Sequence, residues 1–193
     1  MQNNSDLVSV VMSAYNSESS IAESIESILN QSYQNIEFLI IDDCSTDRTA
    51  DVIESYLEKN KNIKFTKNKT NLGLTKSLNI LIKKSSGQYI ARQDADDISL
   101  HHRVQEQMQL LKSNNLDFCT TRAIIKDSMK LIPGVSSFLP KKIILNSKTL
   151  SYMELYWQKK QPLMKLVIMM KTLSMHRITN YFMIYLNITI ILG

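Results

Sequence analysis

Short apolar runs alternate with stretches of helical period along the first 125 residues. Leu7-Val8-Ser9-Val10-Val11-Met12 is mostly β-branched and runs into Ser13-Ala14-Tyr15-Asn16, which predicts a buried strand and the loop after it. Ser20, with Glu23 three residues on, has the capping-box pattern, and Ile21, Ile25, Ile28 and Leu29 follow at helical spacing. A helix is therefore expected over 20–31. Ile36-Glu37-Phe38-Leu39-Ile40-Ile41 predicts a second strand, which empties into Asp42-Asp43-Cys44-Ser45-Thr46-Asp47. Ala50, Ile53 and Leu57 share a helix face; Ile63 to Thr66 makes a weaker strand; Leu74, Leu78, Leu81 and Ile82 mark another helix. Ser86-Gly87 breaks that helix and leads to a strand from Tyr89 that ends at Asp94-Ala95-Asp96-Asp97. Val104, Met108 and Leu111 predict a further helix, and Leu116 to Thr120 a further strand, before Pro133-Gly134 and Pro140 loosen the pattern.

Strand–helix alternation with crossovers of this length predicts an α/β fold, a mainly parallel sheet with helices on both faces. Ligands of such sheets bind beyond the carboxyl ends of the strands. Three polar loops fall at that edge: Ser13 to Asn16, Asp42 to Asp47, and Asp94 to Asp97. Carboxylates as close as those of Asp94, Asp96 and Asp97 repel one another, and a packed core has no use for them. A hard divalent cation does, because Mg²⁺ or Mn²⁺ takes oxygen ligands and bridges carboxylates to substrate phosphates. The plainer reading is a solvated acidic loop at the start of the next helix. Convergence of three such loops on one rim favours a site.

Composition bounds the rest. At 193 residues the chain holds one domain, or one domain and an appendage. Cys44 and Cys119 lack metal-ligand spacing, so a reducing cytosol is expected. Neither a signal-peptide pattern nor a run of roughly 20 apolar residues is present. The net charge of +5 sits entirely from Ser147 onward, where six basic residues face Glu154 alone. A nucleic-acid partner is not expected, because a basic binding face would be spread through the folded domain.

These motifs, in this order, resemble the family 2 glycosyltransferases of GT-A fold. The matching pieces are Ser9 to Asn16, Ser27 to Tyr33, Asp42 to Thr49, Asn71 to Leu74, Gly87 to Arg92 and Asp94 to Asp97, with Arg103 and Gln107 at the family's usual distance. The Arg92 to Asp97 stretch is similar to that of bacterial transferases that build surface polysaccharide or lipooligosaccharide. The resemblance implies a nucleotide-diphospho-sugar donor, most often a UDP-sugar, whose sugar passes with inversion to a glycan or lipid-linked acceptor. It covers 1–125 as a nucleotide-sugar-binding domain; by composition, 126–146 reads as a loose connection and 147–193 as a basic, Met-rich tail of irregular structure. Tyr15 would stack on the base, with Ser13 and Asn16 beside it. Asp43, or its neighbour Asp42, would accept from the base's ring N–H. Asp94 would face the ribose, Asp96 would hold Mn²⁺ or Mg²⁺, and Arg92 and Arg103 would add charge near the phosphates. Asp47 reads as a helix-start residue, and Cys44 stands where the family usually has Gly. His101 and His102 read as loop-surface residues.

An inverting displacement also needs a general base. The family's acidic residue in the second half of the domain has no counterpart here: after Asp127 the only acid is Glu154, in a context unlike that motif. Six of the ten Met lie after Ser151, and 178–192 shows neither strand nor helix period. A reading-frame change near Leu145 would produce such text and leave a donor-binding half-domain with impaired transfer. The rival is a basic tail that anchors the protein peripherally to the inner face of an anionic membrane.

Overall fold

The computed structural model describes residues 6–114, 118–125, 131–132, 168–171 and 185–192. The rest of the 126–146 connection, and Glu154 with most of the tail, lie outside the described residues. Nine strands are described: β1 (Val8–Ala14), β2 (Ile36–Asp42), β3 (Ile63–Lys67), β4 (Tyr89–Asp94), β5 (Asp97–Ser99), β6 (Phe118–Ile125), β7 (Leu131–Ile132), β8 (Ile168–Lys171) and β9 (Tyr185–Leu192). The helices among them are α1 (Ile21–Leu29), α2 (Thr49–Leu57), α3 (Leu74–Lys84) and α4 (Arg103–Ser113).

β3, β2, β1 and β4 lie side by side and parallel, as the alternation of elements requires. β1 sits between β2 and β4 and is nearly all buried, which explains its unbroken apolar text. One face carries α1, α2 and α4, where Ile25, Ile28, Ile53, Val104, Met108 and Leu111 pack on Val10, Met12, Phe38 and Ile40. The other face carries α3, where Leu78 and Leu81 pack on Val11, Leu39, Ile41 and Ile90. Each fully buried Ile or Leu is worth roughly 1.5–3 kcal/mol, so these two layers fix the register on which the loops depend.

Three details differ from expectation. The Ser20 side chain makes no cap hydrogen bond; α1 instead starts from the Ser17 carbonyl, which accepts from the backbone N–H of Ser20 and Ile21. β5 is a strand where only a loop into α4 was expected; it pairs antiparallel with β9. β8 and β9 come from the basic, Met-rich tail, expected to be irregular, and continue the sheet beyond β4. β9 is flanked by β6 and β5.

At the amino end of the sheet, away from the polar loops, Glu37 is buried and carries a network. It accepts from Ser9 Oγ, from Lys64 Nζ at 2.6 Å, and from the backbone N–H of Ser86 and Gly87. Burial is the largest influence and opposes ionisation, but the bonds from Lys64, Ser9 and Ser86 together hold the carboxyl below its ordinary value of 4.5. A depressed carboxyl contributes stability above its unfolded pKa and loses it as pH falls through the folded one. Glu37→Gln is therefore expected to cost about 2 kcal/mol at pH 7. It should also flatten the loss of stability below about pH 4.5. Urea melts from pH 7 to pH 3 check both; parallel curves for the two proteins would contradict the assignment.

Candidate functional site

Strand register brings the three polar loops together. Ser13 and Ala14, at the end of β1, stand opposite Ile41 and Asp42 of β2, and Ser13 also stands opposite Asp94 of β4. Asp43 leaves β2 by donating its N–H to Ala14 O at 2.8 Å. The ends of β2 and β4 thus flank the end of β1, and the Asp43 and Asp94–Asp97 loops emerge from one rim. Tyr15 is 49% exposed there. Asn16 is tied down: its Oδ1 accepts from Thr46 N–H at 2.9 Å, and its backbone N–H donates to Ser45 Oγ at 3.0 Å. It joins the first loop to the second.

Asn16 and Cys44 both have left-handed backbone, at φ +48° and +65°. A Cβ makes that conformation costly, by about 1–2 kcal/mol, whereas Gly adopts it freely. That is the physical reason for a Gly at position 44, and Cys44 carries the strain in its place. Cys44→Gly is expected to stabilise the fold by up to about 1 kcal/mol once the greater freedom of Gly in the unfolded chain is subtracted. Thermal melting checks it, and a lower melting temperature for the variant would contradict it.

Asp43 is 2% exposed, and both its oxygens are engaged. Oδ1 accepts from Asn68 Nδ2 at 2.6 Å and Leu72 N–H at 2.9 Å, and Oδ2 accepts from Gly73 N–H at 2.8 Å. Burial, the largest influence, works against the charge, but the donors Leu72, Asn68, Ser77 and Gly73 outweigh it and hold the carboxyl below its ordinary value. The Asn71-Leu72-Gly73 motif is therefore bound to the Asp42-Asp43 motif, a link that their separation in sequence conceals. Asp42 is 3% exposed and accepts from the Ser45 N–H and hydroxyl. Asp47 accepts from Thr49 N–H and Glu18 N–H, as expected of a residue at the start of α2.

At the other side of the rim, carboxylate oxygens of Asp94, Asp96 and Asp97 lie within 4.8 Å of one another. Asp96 is exposed and Asp97 fully buried. Arg92 grips Asp94 bidentately, Nε to Oδ1 at 2.8 Å and Nη2 to Oδ2 at 2.9 Å. Arg103 does not reach the rim. Its side chain is wholly buried under the acidic turn, with Nη2 donating to Gln93 Oε1 at 3.3 Å, because the helix face it occupies is the core-facing one. Burial lowers its pKa to about 10, against the pull of Cys119 and Asp97, so it stays charged at neutral pH and offsets the buried Asp97. His101 and His102 lie against Asn30 O and Ser32 Oγ, beyond the end of α1.

The turn also rests on polar residues that periodicity does not single out. Gln93, fully buried, donates to Asp97 O at 2.7 Å and to Ser24 Oγ at 3.1 Å, and accepts from Ser99 Oγ at 2.6 Å. Ser24 Oγ donates to Asp94 O, and Ser27 Oγ accepts from Ser99 N–H. The available signal was Ser24 itself, a hydroxyl on the apolar face of α1 between Ile21 and Ile28.

Residues 9–178 match the family described as Glycosyl transferase family 2. The chain belongs to that family. A glucosyltransferase of Escherichia coli, UDP-Glc:alpha-D-GlcNAc-diphosphoundecaprenol beta-1,3-glucosyltransferase WfaP, is 34% identical over 135 residues, covering 70% of this chain and 53% of WfaP. The solved S. aureus TarS (1–349) superposes with a TM-score of 0.68 at 24% identity, over 88% of this chain and 48% of that one. TarS has also been solved with UDP-GlcNAc. Mannosyltransferase PcManGT from Pyrobaculum calidifontis, solved with GDP-Man and Mn²⁺, gives 0.58 at 19% identity, over 62% of this chain and 36% of that one. The fold of this family 2 chain is thus of the GT-A type. The chain spans less than half the length of several of the curated relatives it matches.

Proposed function

We propose that this family 2 chain binds a UDP-sugar with a divalent cation and passes the sugar, with inversion, to an acceptor hydroxyl in cell-surface polysaccharide or lipooligosaccharide synthesis. The observation that carries this reading is the meeting of the Tyr15, Asp43 and Asp94–Asp97 loops at one rim through the register of β2, β1 and β4. The diphosphoundecaprenol in WfaP's name supports a lipid-linked acceptor, and so a place at the inner face of a membrane.

Tyr15 supplies an exposed ring on which the base stacks, with Ser13 and Asn16 bordering it. Asp43 shapes the base pocket by holding the Leu72-Gly73 backbone, and its remaining acceptor capacity meets the ring N–H of a pyrimidine. Arg92 fixes the Asp94 carboxylate beside the ribose and brings a positive charge toward the phosphates. The three carboxylates fit a hard cation, Mn²⁺ or Mg²⁺, with Asp96 the accessible ligand and Asp97 behind it. Such an ion, when bound, offsets the charge that develops on the departing diphosphate. No general base is assigned among the described residues.

A second reading, a donor-binding half-domain with little transfer, is favoured by one feature: Glu154 is the only acid after Asp127. Incubation with UDP-glucose or UDP-GlcNAc, Mn²⁺ and a diphosphoundecaprenol-linked GlcNAc acceptor separates the two. Release of UDP with a lengthened glycan supports the transferase. Donor binding with no UDP release supports the half-domain, and no binding of either donor contradicts both.

A further inference from the structure

Residues 1–146 carry equal numbers of basic and acidic side chains, but that balance hides a division. Eight lysines and no Asp or Glu fall between Lys59 and Lys84, leaving nine basic against seventeen acidic residues in the rest of that span. All eight are exposed. They cover β3, the edge strand of the sheet, the turns on either side of it, and α3. Lys64 pairs with Glu37 and Lys67 with Glu54, while the others have no acidic partner among the described residues. Lysines on an edge strand also discourage strand pairing, but that reason does not extend to Lys69, Lys76 and Lys83, which lie off it.

On α3, Ser77, Leu78 and Leu81 face the sheet, so Lys76 and Lys83, seven residues apart, share the outward face. The loop before α3 adds Lys69 and Leu72, which is 37% exposed, and the first residue of α3, Leu74, is 39% exposed at the amino end of the helix. Solvation explains lysines, but it does not explain two leucines presented beside them. Cations on the outward face of α3, with exposed aliphatic side chains at and just before its amino end, match a surface that is both negative and apolar beneath its charge.

We propose that the loop Lys69–Gly73 and the outward face of α3 form a docking surface for an anionic bilayer, with Leu72 and Leu74 entering the interface and the lysines meeting its headgroups. The surface lies beside the donor rim, because Asp43 holds the backbone of Leu72 and Gly73. It is independent of the basic tail, and it stands whether or not the chain transfers a sugar.

The test is sedimentation of the full chain with phosphatidylcholine vesicles, with and without phosphatidylglycerol, in the absence of any donor. Binding is expected only with phosphatidylglycerol, weakening as salt rises. The triple variant Lys69→Glu, Lys76→Glu, Lys83→Glu should bind the anionic vesicles at least roughly tenfold more weakly. Leu72→Ser with Leu74→Ser should also weaken binding, whereas Lys148→Glu with Lys159→Glu and Lys160→Glu should leave most of it. All the substituted positions in the surface are exposed, and unchanged thermal melts confirm folding. Wild-type binding by the Lys69/Lys76/Lys83 variant, loss of binding in the tail variant alone, or capture of soluble polyanions such as RNA without vesicle binding would each overturn the proposal.

Discussion

Asp96→Ala is expected to weaken Mn²⁺-dependent binding of UDP by at least about a hundredfold. Loss of an outer-shell partner alone commonly costs a metal site ten- to a hundredfold, and Asp96 would be a direct ligand. Of the three carboxylates it is the exposed one, while Asp94 is gripped by Arg92 and Asp97 is enclosed above Arg103. The substitution removes a surface side chain, so the melting temperature should stay near that of the wild type. Titrating Mn²⁺ by its electron paramagnetic resonance signal, with and without UDP, separates loss of the ion from loss of the nucleotide. Full retention of the bound ion by the variant would remove Asp96 from the site.

Gly87→Ala is expected to destabilise the fold by about 3 kcal/mol or more. A Cβ there would stand 2.6 Å from Ser9 Oγ and 2.7 Å from both Leu7 O and Ser9 N. Two of those atoms are backbone, Ser9 N in β1 and Leu7 O just before it, and β1 is the strand on which both loop registers depend, so they cannot yield. The same residue donates its N–H to Ser9 Oγ at 2.8 Å and to Glu37 Oε1 at 3.1 Å, so displacement of the chain also disturbs the Glu37 network. Against a usual total of roughly 5–15 kcal/mol, such a loss is large. Urea melts by circular dichroism give the value; a change under about 0.5 kcal/mol would show that Gly87 has room that the geometry denies it.

The parallel half of the fold was legible because β1, β2 and β4 are buried and α1 to α4 are amphipathic, so periodicity reports each directly. The placement of the loops followed from strand polarity alone. What the one-dimensional pattern could not carry was the polar interior. Asp43 binds a backbone turn some thirty residues away, and Gln93 ties the acidic turn to a serine seventy residues earlier. Arg103 looked like a phosphate ligand because charge usually means surface. Its helix face shows otherwise, since Val104, Gln107, Met108 and Leu111 on the same helix are buried with it. β5 and β8 were missed because strands of three and four residues offer no period, and β9 because its apolar and polar residues follow no regular spacing.

A calorimetric titration of UDP into the wild-type chain, once with Mn²⁺ and once with EDTA, bears most directly on whether these three loops grip a nucleoside diphosphate through a cation. The expected result is a single-site isotherm with Mn²⁺ that collapses when EDTA replaces the metal. Equal affinity in both solutions, or no heat of binding in either, would contradict it.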